Sequence, residues 1–239
     1  MDRKALILPF SLSRSPDWVC PTCGRGILRL KKDTFFREER RHSRNHSHEA
    51  WEPEWIEYVY SCLLECNNDQ CKEIVCSSGV GAVDAGEYED QNGDWVQEPE
   101  DFFRPKFFEP HLVLLVIPTK CPESISAPLQ ESFRLFFASP GAASNHVRIA
   151  IEELLTDLKV RRFNVSGGKR SFISLHQRIT LLPAKYATLK DMILAIKWLG
   201  NAGSHSDADG KPSISMDDVM DSYELTQARQ PLNKIEPLE

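Results

Sequence analysis

The chain has 239 residues, of which 41% are hydrophobic and 27% charged, and its formal net charge is -6. That composition suits one large or two small domains with a real core. It excludes a uniformly basic nucleic-acid binder, and no apolar run reaches the ~18 residues of a membrane helix.

At the N-terminus, Ala5-Leu6-Ile7-Leu8-Pro9-Phe10 is too short for a secretory h-region, and no small-residue cleavage pattern follows it. The expected location is therefore cytoplasmic, with thiols reduced or metal-bound rather than in disulfides. Cys20-Pro21-Thr22-Cys23-Gly24 is half of a metal-site signature, because two thiolates two residues apart before a Gly can face one ion. Residues 31–54 read as a polar insertion. Residues 25–48 are basic and hold His42, His46 and His48, a group more often solvated than metal-binding. Residues 57–64 and 73–76 have strand composition, and Asn67-Asn68-Asp69-Gln70 between them is strong turn chemistry. Cys66 and Cys71 flank that turn and can converge. Cys62 cannot join Cys66 on one ion, since four residues of strand separate them by ~13 Å. Cys20, Cys23, Cys66 and Cys71 are thus the expected ligands of one structural zinc. Four thiolates leave no open coordination position, so the site folds a small module and does no catalysis. Residues 1–100 form this zinc-ribbon module in the expected layout.

The acidic stretch 84–101, with Asp84, Glu87, Glu89, Asp90, Asp94, Glu98, Glu100 and Asp101 and no Lys or Arg, is expected to be a linker or exposed flap. Residues 101–123 read as a linker containing a short apolar strand over 111–118. From about residue 124 the period becomes helical. A short helix is expected over 128–137. In the next, Val147, Ile151, Leu154, Leu155 and Leu158 share one face. Ser166-Gly167-Gly168-Lys169-Arg170-Ser171 fails the phosphate-loop pattern, which needs Gly where Phe163 stands and Ser or Thr where Arg170 stands. It reads as a flexible loop. Lys159, Arg161, Arg162, Lys169, Arg170 and Arg178 give that region a positive local field. Further helices are expected over 172–179, around Leu189, Met192, Ile193 and Ile196, and from Ser215, a good N-cap with acids after it, to about residue 228. The fold class is α+β: a small β-rich zinc ribbon, then an all-α bundle over 124–239.

Two polar groups stand out in the bundle. Asn145, Arg148 and Glu152 form a stripe beside the apolar face of the second helix, with Arg148 and Glu152 as an ordinary i,i+4 pair. In Lys197-Trp198-Leu199-Gly200-Asn201-Ala202-Gly203-Ser204-His205, Asn201 and His205 lie four apart. They read either as a capped helix end or as side chains facing a cleft shared with Arg148.

Taken in order, these motifs carry a resemblance. Cys-x-x-Cys is followed by Cys66-x4-Cys71-Lys-Glu-x-Val, by Asn145-x-x-Arg148-x-x-x-Glu152-x-Leu154-Leu155, by Leu175-His176-x-Arg178-Ile179, and by Ile196-Lys197-x-Leu199-Gly200-Asn201-x-Gly203-x-His205. Over nearly its whole length the chain resembles a bacterial family, domain of unknown function 4145 (DUF4145), with its N-terminal zinc ribbon. That family is similar to the HEPN superfamily of helical bundles, many of them dimeric RNases of toxin–antitoxin and anti-phage systems. The resemblance implies His205, Asn201 and Arg148 as catalytic candidates and Lys197, Glu152 and Arg178 as ligand-binding candidates. The superfamily's motif Arg falls on Gly200, so the guanidinium that would hold the scissile phosphate is missing. The resemblance therefore implies a homodimeric module of a prokaryotic defence or stress system that binds RNA, a nucleotide or a partner protein without robust catalysis. The alternative is a metal-independent RNase with His205 as general acid/base.

Overall fold

The structure, a computed structural model, describes residues 2–89, 95–202 and 214–227. It is α+β, with an antiparallel sheet in the first part of the chain and helices in the second. The chain divides into two compact units, Met1–Leu112 and Val113–Glu239, so the break falls inside the stretch 101–123 expected as a linker.

The first unit opens with a short helix, α1 (Arg3–Ile7), capped by the Asp2 carboxylate, which accepts from the Lys4 and Ala5 N–H groups. Five strands follow: β1 (Leu28–Leu30), β2 (Phe36–Glu39), β3 (Glu57–Cys66), β4 (Ile74–Glu89) and β5 (Trp95–Glu109). One edge of β3 pairs with β1 (Leu28↔Cys66) and then with β2 (Phe36↔Ser61). Its other edge pairs with β4, and β5 lies outside β4. Tyr60, Cys62, Leu64 and Cys66 alternate into the interior of β3, the period-two pattern of a strand with one buried face.

That face carries an aromatic core. Phe103 is 5.3 Å from Tyr60, 5.7 Å from Phe10 and 4.9 Å from Phe35 between ring centroids, and Trp18 bridges Phe10 and Phe108. The Phe103 ring lies over Gly81, where a Cβ would come within 2.6 Å of it. Aromatic edge-to-face pairs of this kind add to burial. The unit is therefore held by a core of its own, and not by metal alone as its cysteines suggest.

Two expectations fail here. The acidic stretch 84–101 is no flap: its described residues lie in the two arms of the β4–β5 hairpin, with Asp84 opposite Glu100 and Val83 opposite Asp101. Two of the charges have partners. Arg37 pairs with Asp101, and the Ser13 hydroxyl donates to Glu100 at 2.8 Å. Hydrogen bonds from Ser11 and then Ser13 hold the Glu100 carboxyl below its ordinary range. The apolar run 111–118, expected as a strand, has no regular structure, although Leu112, Leu114 and Leu115 are buried. Pro110 and Pro118 at its ends remove backbone donors a ladder would need.

In the second unit, α2 (Glu123–Leu135) starts five residues earlier than expected, with Pro128 inside it. Pro140 opens α3 (Pro140–Asp157), a first-turn position where its missing N–H costs nothing. The helix ends at Lys159, whose φ of 62° closes the turn with Val160 N–H donating to Leu155 O at 2.8 Å. The expected loop at 166–171 is instead a two-stranded hairpin, β6 (Phe163–Ser166) and β7 (Lys169–Phe172). Gly167 and Gly168 have φ of 55° and 74°, the two left-handed residues of a tight hairpin turn. Then α4 (Leu175–Thr180) starts at a reciprocal cap between Ser174 and Gln177. Next come α5 (Ala187–Ala202) and α6 (Met216–Gln227), where Ser215 and Asp218 cap each other. Among the described residues no helix is long and apolar enough to cross a membrane.

Candidate metal centre and the polar groups of the helical unit

The four expected cysteines meet. Between Trp18 and Leu28 the chain doubles back, with Cys20 N–H donating to Gly26 O at 2.8 Å and Leu28 N–H to Trp18 O at 2.8 Å. Gly24 makes the reversal at φ 62°, its N–H bonded to Cys20 O at 3.0 Å. The second pair sits on the β3–β4 turn, where Asn68 O accepts from the Cys71 and Lys72 N–H groups. The two turns are locked together: Asn67 N–H donates to Ile27 O at 3.0 Å, and Ile27 N–H returns a bond to Asn67 Oδ1 at 2.8 Å.

All four sulfurs lie within 4.8 Å of one another. Cys20 Sγ is 3.8 Å from Cys71 Sγ, and Cys23 Sγ is 3.7 Å from Cys66 Sγ. These separations are far beyond the ~2.05 Å of a disulfide. A tetrahedron with metal–sulfur bonds of ~2.3 Å has edges of ~3.8 Å, so the cluster fits one four-coordinate ion. Without a cation the thiols are unequally tuned. N–H donors from Gly26 and Arg25 lower Cys23 to about 6, whereas burial pushes Cys66 up to about 12. A bound ion holds all four as thiolates. Cys62, Cys76 and Cys121 lie outside the cluster. The histidines of the basic segment do not cluster: His46 bonds Glu39 at 2.9 Å and His42 meets Glu57 at 3.0 Å.

Gly26 is a supporting residue that sequence reading passed over. A Cβ there would fall inside van der Waals contact of Cys66 Sγ. Gly26→Ala is expected to weaken metal binding by about tenfold or more, the scale of supporting-residue losses at metal sites. Competition with a chromogenic chelator measures it. The signal was available, since Gly24 and Gly26 both follow the first Cys pair.

The polar groups of the helical unit are placed differently. Arg148 pairs with Glu152 at 2.9 Å and reaches Asn145 Oδ1 at 3.4 Å, forming a stripe on α3 in which the Arg148 Nε is buried without a hydrogen-bond partner. The stripe is partly exposed, so Arg148→Ala or Glu152→Ala is expected to cost under ~1 kcal/mol in urea unfolding. Arg178 corrects the expectation of a ligand-binding cation. It is fully buried, and its guanidinium donates to Glu152 O at 3.1 Å, Thr156 Oγ1 at 2.9 Å and Val160 O at 3.2 Å. These bonds tie α4 to the last turns of α3. Burial and the nearby Arg162 lower its pKa. Lys197 lies with Nζ 3.8 Å from the centroid of the Trp198 ring, and Trp198 is 63% exposed. Asn201 is in the last turn of α5, but its side chain, like all of His205, lies outside the described residues.

Residues 130–229 match the family model described as Domain of unknown function (DUF4145), so the resemblance expected over nearly the whole chain holds for this part. Residues 8–108 match a separate one, described as Domain of unknown function (DUF8608). No curated protein and no solved structure matches the chain.

Proposed function

We propose that the chain is an RNA-binding module of a prokaryotic defence or stress system, without robust catalysis. In this reading the N-terminal unit is a cytoplasmic zinc ribbon and the C-terminal unit a HEPN-like bundle that pairs as a homodimer. Zinc is the ion that suits a closed, redox-silent set of four thiolates, and it acts by folding, not by chemistry. The observation that carries the reading is the Lys197–Trp198 pair: a largely exposed indole with an ammonium over it, one turn before Asn201. A cation beside an open aromatic plate is the chemistry that receives a base and its phosphate. The departure at Gly200 argues for binding over cleavage.

Titrating purified protein with tRNA at several salt concentrations tests this. Affinity should fall with salt and drop in Lys197→Ala and Trp198→Ala. Affinity equal to that of the unmodified protein in both variants would remove the Lys197–Trp198 pair from the reading. RNA cleavage abolished by His205→Ala would replace it with the RNase alternative. Elemental analysis should find one zinc per chain, and light scattering a dimer at micromolar concentration.

A further inference from the structure

We propose that the β6–β7 hairpin is a second binding arm, specific for single-stranded nucleic acid. The inference rests on the nucleic-acid reading above but assigns a different surface. From Lys159 to Phe172 the chain carries Lys159, Arg161, Arg162, Lys169 and Arg170 and no carboxylate, although the whole chain is at -6. Arg162 is ion-paired with Glu153 at 3.3 Å. Among the described residues the other four cations form no ion pair. An exposed, unneutralised positive arm on a net acidic chain is complementary to a polyanion.

The ladder pairs Phe163 with Phe172 and Val165 with Arg170, so these four share one face of the hairpin. Arg170 lies with its guanidinium carbon 3.8 Å from the centroid of the Phe163 ring. Phe172 stands edge-on to Phe163 at 5.4 Å and is 59% exposed, and Val165 is 74% exposed. Here one ring orients a guanidinium plane, and the second ring is left open beside it. Planar groups of both kinds receive unpaired bases, which have free π-faces, while bases stacked inside a duplex do not. The opposite face carries Asn164, Ser166, Lys169 and Ser171, polar groups able to bond a sugar–phosphate backbone. At the tip, Gly167 and Gly168 have no atoms near their missing Cβ positions, so a strand can pass close to the turn. Lys159 and Arg161 flank the base of the arm, which Ile173 N–H fastens to Arg162 O at 2.9 Å.

Fluorescence anisotropy on the full chain, with a labelled oligouridylate of about 20 nucleotides, reads the arm directly. Lys169→Ser/Arg170→Ser should weaken binding at least about tenfold and flatten the log–log salt slope by at least ~0.7, the share of the Lys169 phosphate contact on a single strand. Phe172→Ser should weaken binding by about tenfold with an unchanged slope, the mark of lost stacking. All three side chains are exposed and Phe172→Ser loses one edge-on ring contact, so the thermal midpoint should move by no more than a few degrees. Undiminished binding by the hairpin variants, with loss in Lys197→Ala, would overturn the arm and leave the Lys197–Trp198 reading standing. No binding by the unmodified protein would overturn both. Tighter binding to a blunt duplex of the same length, or to phosphatidylserine vesicles, would likewise overturn the single-strand assignment.

Discussion

Chelation of the metal is expected to strip hydrogen-exchange protection from the amides of Cys20, Gly24, Gly26, Ile27, Leu28, Cys66 and Asn67. Those N–H groups build and join the two cysteine turns, and the ion draws the turns together. Structural zinc contributes on the order of 10 kcal/mol, as much as the whole stability of many domains. The aromatic cluster around Phe103 meets that end at Trp18, whose carbonyl accepts from Leu28 N–H. It is knit by its own ladder, with Phe10 and Phe103 exchanging backbone bonds of 2.9 and 2.7 Å. Protection should therefore fall by about a thousandfold or more at the turns and far less at Phe10 and Phe103, while α2 to α6 stay unchanged. Uniform loss across residues 2–112 would mean that the core depends on the ion entirely. No change anywhere would mean that no ion is held. Cys66→Ser should copy the effect, whereas Cys62→Ala should leave the metal content intact.

Arg178→Ala is expected to destabilise the helical unit by roughly 3–5 kcal/mol, followed by far-UV circular dichroism in urea. The substitution removes three hydrogen bonds from a charged donor and leaves Glu152 O, Thr156 Oγ1 and Val160 O without it inside the protein. It also opens a void where a large side chain is fully buried. Arg178→Met fills the void without the bonds and should recover part of the loss, since Nε already lacks a partner in the native protein. A loss under ~1 kcal/mol in Arg178→Ala would return this residue to the surface role suggested by its charge.

The metal cluster was legible because both halves combine thiol spacing with turn chemistry, so short-range geometry alone aims the sulfurs. The amphipathic helices were legible for the same reason: Val147, Ile151 and Leu154 repeat with the helix itself. What failed depended on partners distant in sequence. The carboxylates of 84–101 resemble a solvated flap until Arg37 and Ser13 are brought beside Asp101 and Glu100. Residues 111–118 resemble a strand by composition, yet no neighbouring strand receives them. The hairpin at 163–172 was readable in principle, since Gly167-Gly168 between short runs is a tight-turn signal. Arg178 was not. Nothing in Leu175-His176-Gln177-Arg178-Ile179 says that the cation turns inward; that follows from three acceptors left open where α3 ends.

The cysteine turns that face each other across the first unit are 43 residues apart between Cys23 and Cys66. An ion bridging them is a cross-link in the same sense as a disulfide, closing a loop that would otherwise carry ~4 kcal/mol of chain entropy. Unlike a disulfide, it is held by mass action. Each tenfold change in free metal above the dissociation constant shifts the unit's stability by ~1.4 kcal/mol. With an ion bound there, the firmness of this part of the protein is set partly by the metal supply of its surroundings, while the helical unit, with no such cluster among its described residues, is indifferent to it.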